Sequence, residues 1–231
     1  MKLIFIHGSG NTGEIWCYQA KHFLDAEAIN LPGHPQGELC DRVEDYANWL
    51  HRYILEQRYS EPVLIGHSLG GAIAQLYALN YPQDIKALIL ISTGAKLRVA
   101  PQYFSLIHNG IETPSVWLQN FVESLISQVP TQLKQKLIKE IAEVGASVQL
   151  NDMLCCDKFD IMDKVHQIKI PTLILCGSED RMTPPRYSFY LANKIKGAKL
   201  TIIAGGTHFV FAEKYEEVNQ AIQDFLDNEL R

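Results

Sequence analysis

The sequence predicts an α/β fold: a mostly parallel sheet of about six strands, with helices on both faces and a helical lid insertion. Three observations carry this. Several short runs are apolar throughout, as strands buried on both faces must be, and amphipathic helical patterns separate them. One such run, Val63-Leu64-Ile65, enters Gly66-His67-Ser68-Leu69-Gly70-Gly71 and then an apolar periodic segment, so strand, sharp turn and helix follow without a linker. Across residues 96–167 the alternation stops and only helical patterns remain.

Taken in order, residues 2–6 form the first apolar strand, which breaks into the glycine-rich loop His7-Gly8-Ser9-Gly10-Asn11-Thr12-Gly13. A helix is expected over residues 14–24, and a second strand over 26–31, ended by Pro32-Gly33-His34-Pro35. Val43, Tyr46, Ala47, Leu50, Tyr53 and Ile54 fall on one face of a helix spanning residues 42–56. The strand leading to Ser68 follows, then a helix that stops at Asn80, before Pro82. Residues 85–92 are another unbroken apolar strand. The insertion carries Trp117, Phe121, Leu125 and Ile126, then Leu133, Leu137, Ile138 and Ile141, at helical spacing. The alternation resumes with a strand at 170–176, a helix at 187–195, a strand at 198–203 and a helix at 216–226. Residues 1–95 and 168–231 thus read as one core domain, and 96–167 as a lid over the carboxyl edge of the sheet, where parallel sheets place their ligands.

Composition narrows the function classes. The 231 residues are 47% hydrophobic and 20% charged, as expected of a folded globular chain. A net charge of −5 with no basic stripe argues against nucleic acid or an anionic membrane as partner, and leaves a small-molecule substrate. No run approaches the ~18 apolar residues of a membrane span. The apolar start is too brief for a secretory signal and ends in His7-Gly8. Cys17, Cys40, Cys155, Cys156 and Cys176 form an odd set without metal spacing, which suits reduced thiols in a cytoplasmic protein.

The pattern G-x-S-x-G at Gly66–Gly70 lifts a serine hydroxyl clear of the sheet edge, with a helix N-terminus behind it. A serine is a weak nucleophile at neutral pH and needs a base, and the base needs an orienting acid. His208, in Gly205-Gly206-Thr207-His208-Phe209 after the last strand, is placed to be the base. Asp180, in Gly177-Ser178-Glu179-Asp180, is the first choice for the acid, with Glu179 the alternative. The loop after residue 91 offers only Ser92 and Thr93. The order Ser68, Asp180, His208 is that of a nucleophile–acid–histidine hydrolase. Oxyanion donors are expected at the backbone N–H of Leu69 and of Ser9 or its neighbour. His7-Gly8-Ser9-Gly10 lacks the Gly-Lys-Ser/Thr of a phosphate loop. Asp152, Asp157, Asp160 and Asp163 read as caps and solvated positions, Cys155-Cys156 as a packed pair, and His34 as structural. Lys134, Lys136, Lys139, Glu140 and Glu143 read as a solvated helix face, while Tyr103, Phe104, Trp117 and Phe121 serve either the insertion's own core or a pocket wall.

With His7-Gly8-Ser9-Gly10 and Trp16, Leu31-Pro32-Gly33-His34, Gly66-His67-Ser68-Leu69-Gly70-Gly71, Pro171-Thr172-Leu173-Ile174 and Gly205-Gly206-Thr207-His208-Phe209 in place, the chain resembles an α/β-hydrolase-fold serine hydrolase of the carboxylesterase kind. The resemblance implies a trimmed sheet that lacks two strands usual before the first one here. It departs from similar sequences at Pro35, where glycine is common. It also implies hydrolysis of small carboxylic esters through an acyl-enzyme on Ser68, with no metal or organic cofactor. A thioesterase, a lactonase, a C–C bond hydrolase or a low-turnover receptor on the same triad are the alternatives.

Overall fold

A computed structural model describes residues 1–230. In chain order the elements are β1 (Leu3–Ile6), α1 (Cys17–His22), β2 (Ala26–Ile29), α2 (Val43–Gln57), β3 (Val63–His67), α3 (Leu69–Asn80) and β4 (Ala87–Ile91). Then come α4 (Pro101–Glu112), α5 (Pro114–Trp117), α6 (Glu123–Leu125), α7 (Thr131–Val144) and α8 (Ala146–Lys158). The chain closes with β5 (Thr172–Gly177), α9 (Pro185–Lys194), β6 (Lys199–Ile203), α10 (Val210–Glu213) and α11 (Tyr215–Glu229).

The six strands form one parallel sheet in the order β2-β1-β3-β4-β5-β6. Every residue of β1, β3, β4 and β5 is buried, which is why their sequences are apolar without alternation. Alternate residues nevertheless serve different cores. Leu3, Phe5, Val63, Ile65 and Leu173 pack on one face with Val218 and Ile222 of α11. Ile4, Ile6, Leu64, Leu88 and Leu90 pack on the other with Tyr46 of α2 and Ile73 of α3. The order reverses between β1 and β3, so the loops leaving these two strands diverge around a crevice at the carboxyl edge.

Between β4 and β5 every long element is helical, and its base is pinned. Lys96 and Asp160 form an antiparallel bridge and an ion pair, and Ile161 N–H donates to Ala95 O at 2.8 Å. Trp117, Phe121, Leu133 and Leu137 share the cluster that contains Leu3 and Phe5, so these helices complete the core of one sheet face. Two expected elements are shorter. In place of a helix over 14–24 there is a 3-10 turn at Gly13–Trp16, started by the Thr12 side chain accepting from Glu14 N–H, and then α1. β2 stops at Ile29 because Asn30 turns its Oδ1 to Gly13 N–H, and Leu31 N–H donates to a histidine ring.

Candidate active site

Ser68 sits between β3 and α3 with φ 51° and ψ −113°. Such a conformation costs on the order of 1–3 kcal/mol, and the surroundings must enforce it. They do so by close approach. A Cβ on Gly66 would lie 2.3 Å from Gly70 O, and one on Gly70 would lie 2.3 Å from Ile6 O. Ser68 N–H donates to Ile91 O at 3.1 Å, and the Thr93 hydroxyl donates to Ser68 O at 2.8 Å. Ser68 itself remains half-buried and lines a small cavity.

The loops after β5 and β6 are zipped together. Ser178 N–H donates to Ile203 O and Glu179 N–H to Gly206 O, both at 2.9 Å, and the Ser178 hydroxyl accepts from Gly205 N–H at 2.9 Å. This brings Asp180 under His208, whose Nδ1–H donates to Asp180 Oδ2 at 2.9 Å and lies 3.1 Å from Oδ1. Asp180 also accepts from the N–H groups of Met182 and Thr183, each at 2.9 Å, and from the Thr183 hydroxyl at 2.8 Å. Burial alone would raise its pKa; the adjacent His208 and these donors outweigh it and bring the carboxyl down to about 2. Glu179 is exposed and turned toward Ser178, so the acid paired with the histidine is Asp180.

His67, next to Ser68 in the chain, supports His208. Its Nε2–H donates to His208 O at 3.0 Å, and the two rings lie 4.7 Å apart. Burial, and then the neighbouring His208, hold its pKa well below the usual histidine value, so it stays neutral. The Leu69 N–H opens α3 and has no acceptor within the helix. Across the crevice the loop after β1 comes close to Ser68: a Cβ on Gly8 would be 3.2 Å from Ser68 Cβ. A small cavity of about 40 Å³ adjoins Ser68, lined by Leu97, Val99, Tyr103, Met153 and Met182 among others.

One group stands apart from its sequence reading. Asp152 on α8 is fully buried, neither cap nor solvated, and three donors converge on its carboxylate. Oδ2 accepts from Gly10 N–H and from His34 Nε2–H, each at 2.8 Å, and Oδ1 accepts from the Tyr46 hydroxyl at 3.0 Å. The His34 Nδ1 faces Pro32 O at 3.0 Å, so both ring nitrogens meet acceptors, an arrangement that an imidazolium satisfies. Burial works against that charge, but the bond to Asp152 and its charge prevail and raise the His34 pKa. Asp157, Asp160 and Asp163 are exposed, as expected. Of the presumed solvated face on α7, Lys136 pairs with Glu14 and Glu140 accepts from the Thr12 hydroxyl, tying α7 to the loop after β1. Trp117 and Phe121 are buried in the core cluster, and Tyr103 is the aromatic that reaches the cavity at Ser68.

A family model of the alpha/beta hydrolase family matches residues 3–221. A pimeloyl-[acyl-carrier protein] methyl ester esterase from Neisseria meningitidis is 25% identical over 222 residues, covering 88% of this chain and 83% of its own. A solved thermophilic esterase is 30% identical with a TM-score of 0.84, over 99% of this chain and 90% of its own. A lipase-esterase related protein from Clostridium acetobutylicum, 24% identical with a TM-score of 0.83 over 97% and 93% of the two chains, shares the fold. The chain belongs to the alpha/beta hydrolase family. Within that family it is an esterase-like hydrolase.

Proposed function

We propose that the chain hydrolyses small carboxylic esters by two acyl transfers on Ser68. The Ser68 Oγ attacks the ester carbonyl while His208 Nε2 takes its proton, and Asp180 steadies the imidazolium through Nδ1. The oxyanion is held by the N–H groups of Leu69 and Ser9. The C–O bond to the alcohol then breaks, with His208 returning the proton to the leaving oxygen. Water repeats the cycle and frees the acid. The observations that carry this reading are the buried Asp180–His208 hydrogen bond at 2.9 Å and the enforced strained turn that holds Ser68. Residues 96–167 act as the lid of a core formed by 1–95 and 168–231. The small cavity at Ser68 is lined in part by Tyr103, Met153 and Cys156 of these helices, so they bound the space an acyl group would occupy. No helix among the described residues is long and apolar enough to cross a membrane, and we place the reaction in the cytoplasm. The test is steady-state hydrolysis of p-nitrophenyl esters and methyl esters of increasing acyl length, with thioesters and lactones alongside. Turnover led by esters supports the proposal; turnover confined to thioesters or lactones contradicts it.

A further inference from the structure

We propose that Asp152 and His34 are positioning residues for acyl transfer: a buried ion pair that fixes the peptide unit following Ser9 and, together with the His7 and Asn11 contacts to the unit before it, aims the second oxyanion donor. This rests on the triad reading above and adds to it a role for the inserted helix α8.

The argument begins with the planarity of the peptide unit, in which fixing the C=O or the N–H fixes the direction of the other. In the unit joining Ser9 and Gly10, the N–H is held by Asp152 Oδ2 at 2.8 Å and the C=O by Asn11 Nδ2–H at 2.8 Å. In the unit joining Gly8 and Ser9, the C=O accepts from His7 Nδ1–H at 2.8 Å and from Asn11 N–H at 3.3 Å. The Ser9 N–H must therefore point the opposite way. His7 is locked as well, because its Nε2 accepts from Leu31 N–H at 3.0 Å and burial, then His34, holds its pKa near 3, in the neutral form.

Helix α8 adds two further contacts. The Ser9 hydroxyl donates to Gln149 O at 3.4 Å, and the Gln149 side chain would meet a Cβ on Gly10 at 3.0 Å, with Gly10 itself at φ +65°. Gln149 Oε1 is in turn anchored by Trp117 Nε1–H at 2.8 Å. Helix α8 also supplies Met153 and Cys156 to the cavity at Ser68. One helix thus lines the cavity and holds the loop facing the nucleophile. A charged pair suits this task, since Oδ2 must serve a backbone donor and an imidazolium at once. The three donors together offset the desolvation cost of the buried carboxylate.

The experiment compares wild type with Asp152→Asn and His34→Gln in the full chain, with kcat counted per Ser68 titrated by a fluorophosphonate. An aryl trifluoromethyl ketone reports the oxyanion site, because its hemiketal oxygen occupies the position of the transition-state charge. Asp152→Asn is expected to lower kcat about 10- to 100-fold, the scale of a misplaced donor, with KM within about threefold. Ketone affinity should fall by the same factor. Unchanged kcat per titrated serine and unchanged ketone affinity, whatever happens to the thermal midpoint, overturn the proposal. If Asp152→Asn does not fold, His34→Gln decides: it keeps an N–H for Oδ2 without the charge, and a parallel loss of kcat and ketone affinity of about 3- to 10-fold is expected. Equality with wild type in both overturns the proposal. A wild-type chain that neither labels nor turns over contradicts the triad reading itself, whereas labelled, active wild type with indifferent variants contradicts only the positioning role.

Discussion

Two carboxylate–histidine pairs lie within this molecule, and they look alike: Asp180–His208 at 2.9 Å and Asp152–His34 at 2.8 Å, both buried. Their difference is in the rest of each ring. His208 has Nδ1 committed to Asp180, which leaves Nε2, on the far side of the ring, to exchange a proton. His34 has Nε2 committed to Asp152 and Nδ1 to Pro32 O, so it can only hold its charge in place. In the proposed mechanism the same two groups act as a proton carrier in one setting and a fixed strut in the other, and the acceptor at the second ring nitrogen separates them.

The largest effect that would break this comparison lies with the carrier. His208→Ala and Ser68→Ala should each lower kcat by about 10⁴-fold or more, while circular dichroism and thermal midpoint stay near wild type. Retention of a tenth of the activity would remove the distinction. Asp180→Asn follows, with a loss of about 10²- to 10⁴-fold, because the imidazole loses its orienting charge and its tautomer. The strut should cost less than either, as set out for Asp152→Asn above, and an Asp152 variant as damaged as Asp180→Asn would mean that both pairs handle protons.

The two pairs also differed in how far they could be read in advance. The strained turn at Ser68 is local: apolar strand, Gly66, Gly70 and helix lie within a few positions, and steric exclusion of a Cβ leaves a direct trace in sequence. Asp180 and His208 each follow a recognisable strand, so topology alone brings them to one edge. Thr183, which fastens Asp180, is not singled out by the sequence, since a hydroxyl near a proline marks many turns. Asp152 left no such trace. Its partners Gly10, His34 and Tyr46 are 142, 118 and 106 positions away, and the preceding Asn151 and Gln149 are polar, as on a solvated helix. Tyr46 was legible as a core position, but not its hydroxyl as an anchor, because periodicity reports burial and not hydrogen bonding.

The inserted helices sharpen the comparison further. Trp117, in the shared core and bonded to Gln149, should lose about 3–5 kcal/mol of stability as Trp117→Ala, seen in urea unfolding. Tyr103, at the cavity beside Ser68, should instead change the ratio of kcat/KM between short and longer acyl esters as Tyr103→Ala, by about 1–3 kcal/mol per methylene-sized change. Selectivity that moves with Trp117 and not with Tyr103 would reverse the assignment of wall and core.

The pH dependence of stability should separate the pairs at opposite ends of the scale. The Asp180 carboxyl, lowered from 3.8 to about 2, contributes roughly 2 kcal/mol that is complete above 3.8 and lost as pH falls toward 2. His34, raised above 6.5, contributes stability that is complete below that value and lost as pH rises through its higher folded value. Its surroundings allow the effect to be isolated. His7 is neutral, and burial pushes the Cys40 and Cys155 thiols up to about 11 and 12 and the Tyr46 hydroxyl above its usual range. Thermal midpoints against pH should lose the acid limb in Asp180→Asn and the alkaline limb in Asp152→Asn; identical profiles in both variants would contradict the assignment.

The central claim, that Ser68 is the nucleophile activated by His208, is tested most directly by mapping a fluorophosphonate adduct by mass spectrometry. The account predicts one adduct per chain, on the peptide containing Ser68, matched by loss of ester hydrolysis and nearly abolished in His208→Ala. An adduct on any other residue, or undiminished ester hydrolysis in the fully labelled protein, would contradict it.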